Sequence, residues 1–268
     1  PLGGGQYGYS NPITVYDDQG TAHTMTVYYD YVGMENGVKL YEYAVGIDPN
    51  SDASARARTK GAGLLMSGTM SFASNGEMIG MTAFTPTGND PSDLGAWTPA
   101  ALVNGIPSMQ VNFAGAGAQQ IALNLGGTMT GYSGGAATPA DAAVNPDQFY
   151  EAAAGFAREK AGTVAYGDDS SSNHLSKQDG YALGHLRDLN IKADGFIQAR
   201  YSNGQTEGLY QISLFRFKSQ DGLRHEGNNH YSATAESGAA DEGLPNTENY
   251  GKILSQTLET SNVDMALE

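Results

Sequence analysis

Ile13-Thr-Val-Tyr-Asp-Asp-Gln-Gly-Thr-Ala-His-Thr-Met-Thr-Val-Tyr28 reads as a β-hairpin. β-Branched and aromatic residues alternate over 13–17 and again over 25–31, and Asp18-Gln-Gly20 between them is turn chemistry. The same grammar repeats outward. Residues 38–45 follow a turn at Glu35-Asn-Gly37, and 69–72 and 78–81 flank one at Ser74-Asn-Gly76. Residues 108–113 and 120–125 alternate as half-buried strands. Near the end, 189–192, 196–201 and 209–217, with turns at Asp194-Gly195 and Ser202-Asn-Gly204, read as a β-meander. The chain is therefore expected to be all-β, with no internal repeat of fixed length.

Composition narrows the classes of function. The 268 residues carry 14 basic and 29 acidic side chains, a net charge of −15. Such a surface repels phosphate backbones and anionic lipid, which argues against nucleic acid and membrane partners. Only 16% of residues are charged, while Gly alone numbers 36, a balance that suits strands and turns with lightly charged faces. There is no cysteine, which removes disulfides, thiolate zinc sites and thiol nucleophiles together. No run is long enough to span a bilayer, and no charged-then-apolar leader is present. The opening Pro1-Leu-Gly-Gly-Gly5 reads equally as an expression scar or a native loop.

Between the strands lie a polar connection at 48–60, read as a mobile loop, and a Pro/Gly/Asn/Asp-rich loop at 85–95. One helix is expected at 146–160. Asn145 can cap it, Pro146 suits its first position, acids lead and bases close, and Phe149, Ala153 and Phe156 share a face. The small polar stretch 167–173 reads as the main connection between regions.

No pattern of reactive side chains meets its own geometric requirement. His225-Glu-Gly-Asn-Asn-His230 places its histidines five apart around a turn, whereas helical zinc hydrolases need four. Gly131-Tyr-Ser-Gly-Gly135 has the letters of a nucleophile elbow but no helix directly after it. Asp17 with Asp18, and Asn89-Asp-Pro-Ser-Asp93, offer oxygen ligands without the calcium-loop order, and read as turns. Gly3-Gly-Gly-Gln-Tyr-Gly8 lacks the preceding strand of a dinucleotide site. Trp97 and the tyrosines could stack on sugars, but in β-proteins they more often form core and cross-strand pairs. No catalytic, cofactor-binding or metal residue is assigned, no cofactor is expected, and the chain is not read as an enzyme.

Several blocks in order carry a family resemblance. They are Gly180-Tyr-Ala-Leu-Gly184, the hairpin from Asp194 to Thr206, Gly222-Leu-Arg-His-Glu-Gly-Asn-Asn-His-Tyr-Ser-Ala-Thr234, Ser237-Gly238 and Ser261-Asn-Val-Asp264. With the Ile13–Tyr28 hairpin near the start, they resemble the bacterial flagellar hook protein family. The resemblance implies a β-barrel or sandwich-like outer domain over 6–178, with an insertion around 136–173 that holds the helix. Residues 179–268 would be the carboxy-terminal half of an axis-proximal β domain. The chain would be a fragment without the terminal helices and the first half of that domain. The implied function is that of a structural subunit that self-assembles into a curved tubular joint and passes motor torque to the filament. Implied partners are further copies and the rod, hook-cap and hook–filament junction proteins. The implied location is extracellular, at the flagellar basal body and hook, reached through the flagellar type III route without a cleaved signal. Rival readings are a secreted β-rich adhesin or surface binding module using Trp97 and the tyrosines, or a distal-rod protein of the same axial family.

Overall fold

A computed structural model of the chain describes residues 7–132, 153–160, 162–165, 177–228, 230–247 and 249–258. Over these residues it is strand, turn and loop, with a single 3₁₀ turn at Pro49–Ser51. It separates into two compact units, Pro1–Ala182 and Leu183–Glu268.

In the first unit, β1 (Tyr9–Tyr16) and β2 (Ala22–Glu35) form the hairpin read from the sequence, with Tyr9 opposite Tyr29 and Tyr16 opposite Ala22. The chain reverses into β3 (Val38–Ile47) through Asn36 at φ 50° and Gly37 at φ 81°. Those left-handed values match the twist of a two-residue hairpin turn, and Asn and Gly reach them most easily. Next come β4 (Leu64–Phe72), β5 (Met78–Met81), β6 (Phe84–Pro86) and β7 (Trp97–Pro99). The sheet runs β1-β2-β3-β4-β6-β7, with β5 paired to β4 off that path. A second antiparallel sheet holds β8 (Ala101–Val103), β9 (Ile106–Asn112) and β10 (Ala118–Ala122), with β9 in the centre.

Period-two alternation puts one face of β3 into a common core, while β4 and β9 are buried at adjacent positions as well. Val27 of β2, Tyr43 and Val45 of β3, Phe72 of β4 and Val111 of β9 belong to one buried cluster with Phe113. Both sheets feed it, so the unit is sandwich-like, as expected. Fully burying side chains of this size contributes about 1.5–3 kcal/mol each. The core is also rich in thioethers: Met25, Met66, Met70, Met78, Met81, Met109 and Met129 are all 2% exposed or less. Methionine is unbranched and fills irregular gaps, which suits the space between a long sheet and a short one.

The helix expected at 146–160 is overturned where it can be seen. Residues 146–152, with Asn145 and Phe149, lie outside the described residues. Beyond them the chain is extended. β11 (Gly127–Thr128) and β12 (Gly131–Tyr132) pair in turn with β14 (Ala157–Arg158) and β13 (Ala153–Ala154). Gly155 lies between the last two at φ 59°, outside the right-handed helical region. Phe156, half-buried, packs on the core cluster, against Gly127, where a Cβ would collide with its ring. Sheet pairing and aromatic burial outweigh the helix propensity of an Ala-rich segment. The connection read at 167–173 lies outside the described residues.

In the second unit, β15 (Leu186–Ile191), β16 (Phe196–Tyr201) and β17 (Thr206–Gln211) form the meander. The third expected strand, 209–217, is split. β17 ends at Gln211, and β18 (Leu214–Arg216) pairs instead with β21 (Asp241–Gly243). β19 (Arg224–Gly227) and β20 (His230–Ser232) make a separate hairpin. Among the described residues of this unit only Gly195, Ala199, Ser237 and Pro245 are buried.

Candidate functional site

The acidic pair at the first hairpin turn is structural. Asp17 is buried, and its Oδ1 accepts the amide N–H groups of Gln19 at 2.9 Å and Thr21 at 2.8 Å. Its Oδ2 lies 2.9 Å from His23 Nε2. A carboxylate only accepts, so the imidazole proton sits on Nε2 when Asp17 is ionised. This hydrogen bond, with those from Thr21 and Gln19, holds the carboxyl below its ordinary 3.8, against burial, which pushes it up. Asp18 faces the turn between β9 and β10, where Gly117 donates to its carboxylate. Gln19 Nε2 donates to Gly115 O, and Gln119 Nε2 donates to Tyr16 O at 3.0 Å. Two hairpin turns from different sheets are thus latched together.

The connection at 48–60 is tied down at several points, contrary to the mobile loop expected. Asp48 caps the 3₁₀ turn, and Asp52 accepts from the amides of Ser54 and Gly63, both at 2.8 Å. Arg56 sends Nη1 to Pro86 O and Nη2 to Leu64 O, at 3.1 Å, clasping the loop to the sheet. Its Nε is buried without a hydrogen-bond partner among the described residues, and burial lowers its pKa against the opposing charge of Asp52. Arg56 also borders a cleft of about 210 Å³ with Leu65, Thr85, Ser108 and Gln120. Ser108 Oγ donates to Ala101 O and accepts from Gln120 Nε2, each at 2.8 Å, so it is held as a strut. A lone arginine in a polar loop carries no pattern that would reveal this clasp in the sequence.

The remaining motifs fall equally on scaffold roles. Trp97 is 4% exposed and donates to Pro91 O, so it offers no open sugar-stacking face. Tyr43 is buried, and Tyr9–Tyr29 and Tyr31–Tyr41 are cross-strand pairs. Gly131 and Tyr132 are strand residues paired with Ala154 and Ala153, while Ser133 to Gly135 lie outside the described residues. His225 and Tyr231 face each other across the β19–β20 hairpin at 5.1 Å, and Arg224 and Ser232 both bond to Glu226. These bonds lower the Glu226 pKa, Ser232 contributing most. Asp90, within the Asn89–Asp93 stretch, pairs with Lys60 at 2.8 Å, and with Ser92 this lowers its pKa to about 2. No group of three or more His, Asp or Glu that could hold a metal occurs among the described residues.

What the second unit presents is apolar surface. By register, Leu189 and Glu207 flank Ala199, and Ile191 and Tyr210 flank Ile197. One face of the meander therefore carries Leu189, Ile191, Ile197, Ala199 and Tyr210 beside the exposed Glu207; Leu189 is 52% and Tyr210 73% exposed, while Ala199 is buried. Patches of this kind mark contact sites. Plain alternation from Glu207 would place Leu209 on that face; the irregularity opposite Ile197 and Gln198 places Tyr210 there instead.

No helix among the described residues is long and apolar enough to cross a membrane. Two latched sheets, side chains committed to turns and clasps, and a meander with an open apolar face define an all-β scaffold module. The chain belongs to the family of the flagellar basal body protein FlaE D2 domain, whose model matches residues 1–181. It is 28% identical to the flagellar hook protein FlgE of Escherichia coli K12 over 264 residues, 98% of this chain and 48% of that protein. It is 26% identical to the flagellar hook protein FlgE of Treponema pallidum over 259 residues, 96% of this chain and 49% of that one. The chain thus spans about half the length of these relatives. The crystal structure of Helicobacter pylori flagellar hook protein FlgE2 aligns with a TM-score of 0.47 and 19% identity, covering 94% of this chain and 43% of that one.

Proposed function

We propose that this chain is the outer part, with a segment of the axis-proximal part, of a structural subunit of the bacterial flagellar hook. The carrying observation is the family match over 1–181 together with alignment of hook proteins along nearly the whole chain. The subunit assembles with copies of itself into a curved tube that passes torque to the filament. A single contact repeated by a helical operator gives an open filament. The lightly charged outer unit, with its own core, supplies side contacts that slide as the tube turns. The open apolar face of the meander is covered within the assembly. Rod, hook-cap and hook–filament junction proteins adjoin the two ends of the tube. The location is the flagellum outside the cell, reached by the flagellar type III route. The role is not catalytic.

The test is electron microscopy of detergent-extracted flagellar bases from source cells lacking the gene. Bases that stop at the rod, without hook or filament, are expected. Intact curved hooks in the deletion strain would overturn the proposal.

A further inference from the structure

Independently of the hook reading, we infer that Met34 is a selective oxidation site for peroxides. Eight methionines fall among the described residues. Seven are the core thioethers named above, each 2% exposed or less, and Met34 is 63% exposed. The contrast arises from the register of β2. Tyr31 lies opposite Tyr41 and Met34 opposite Lys39, with an irregularity between Tyr31 and Gly33. Tyr41 and Lys39 are two apart on β3, so Met34 and Tyr31 share the face that deeper in the sheet buries Tyr43 and Val45. That inner face continues past the core, and Met34 is where its thioether chemistry meets solvent. Tyr31 at 51% and the neighbouring Val32 at 56% exposed make the same end of the hairpin apolar.

The reaction is a two-electron oxygen transfer. A sulfur lone pair of Met34 attacks one oxygen of hydrogen peroxide, an S–O bond forms and the O–O bond breaks. The departing oxygen leaves as water after proton transfer; sulfur is oxidised and peroxide reduced. The sulfoxide is polar. At Met34 it turns toward water and costs the fold nothing. In the core it would be a polar group among apolar neighbours, where an unpaired buried polar atom is strongly destabilising. Met34 can therefore change the polarity of the hairpin tip while the sandwich stays intact.

The experiment is a hydrogen peroxide dose series on the full chain, quenched and followed by peptide mass spectrometry, thermal melting and hydrophobic-interaction chromatography. Met34 sulfoxide is expected to form at least about tenfold faster than sulfoxide at any of the seven core positions. At full Met34 conversion the melting midpoint is unchanged and the protein elutes earlier. M34L removes the part of the elution shift that follows Met34 conversion. The Met265 peptide separates in the same digest and stays out of the comparison. Core methionines oxidising at the rate of Met34, or an undiminished shift in M34L, would overturn the inference.

Discussion

The ring of His23 lies flat on that of Phe113, with centroids 3.9 Å apart and planes within 11° of parallel. One residue follows the first hairpin turn and the other precedes the turn between β9 and β10. The stack therefore forms the apolar side of a latch whose polar side is Asp17, Asp18, Gln19 and Gln119. Replacing His23 by Ala removes the stack and the Asp17 hydrogen bond together. The stack alone contributes about 0.5–1.5 kcal/mol, so the urea midpoint of H23A should fall by at least that equivalent.

Asp17 makes the latch sensitive to acid. Its folded pKa lies below its ordinary 3.8, chiefly through the hydrogen bond from His23. A depressed carboxylate contributes stability that is present above the unfolded value and is lost as pH falls through the folded value. Below about pH 4 the stability of the wild-type chain should therefore drop more steeply than that of D17N. D17N should be the less stable of the two at pH 7. Equal slopes in acid melting curves would show that Asp17 is not the group being titrated.

Gly155 offers a test of sign. Inside a helix, Gly155→Ala would raise stability by about 0.5–1 kcal/mol. In the observed backbone, φ is 59° and a new Cβ would lie 2.6 Å from Thr130 Oγ1. The substitution should instead lower stability, by about 1–2 kcal/mol, readable from chemical denaturation.

Gly68 and Tyr43 are directly opposed on β4 and β3. The Tyr43 hydroxyl donates to Thr82 O at 2.8 Å across the buried sheet. A Cβ at position 68 would strike Thr82 O and approach Tyr43 Cε1 to 2.9 Å. Y43F should cost about 1–2 kcal/mol through the stranded carbonyl. G68A should cost more, about 3 kcal/mol, because backbone must move. The order of the two melting midpoints is the check.

The buried cluster lies entirely within Pro1–Ala182. A fragment of residues 1–182 should therefore retain a cooperative calorimetric transition within about 3 °C of that of the full chain. Residues 183–268 alone, with Ala199 as their only buried side chain of the hydrophobic class among the described residues, should show no sharp transition.

Strands were legible at 13–31, 69–81 and 189–201, where period-two alternation meets a Gln-Gly, Asn-Gly or Asp-Gly turn, but not after Asn203-Gly204, where β17 runs Thr206–Gln211. Asn104-Gly105 carries the same turn signal, with φ values of 52° and 80° that close the β8–β9 hairpin, but strands as short as Ala101–Val103 leave little alternation beside it. The segment around Gly155 misled because Ala carries strong helix propensity but no record of the strand it meets, and β11 and β12 precede it by about 25 residues. Arg56 was silent for a different reason. Its partners are backbone carbonyls, which have no sequence identity. The latch was half-legible: Asp17-Asp18-Gln-Gly20 announced a turn, but nothing local named the second turn it would grip.

The latch also sets a folding order. Its polar contacts join residues 96 to 103 apart in sequence. Closing so long a loop costs entropy before any contact forms, and chains dominated by such pairings fold in milliseconds to seconds. The β1–β2 hairpin can form early while its grip on the second sheet comes last. Weakening the grip, as in Q119A, should then speed unfolding while leaving the refolding rate almost unchanged in stopped-flow traces. A chain built this way stays incompletely closed until its first hundred and twenty residues are all present and free to meet.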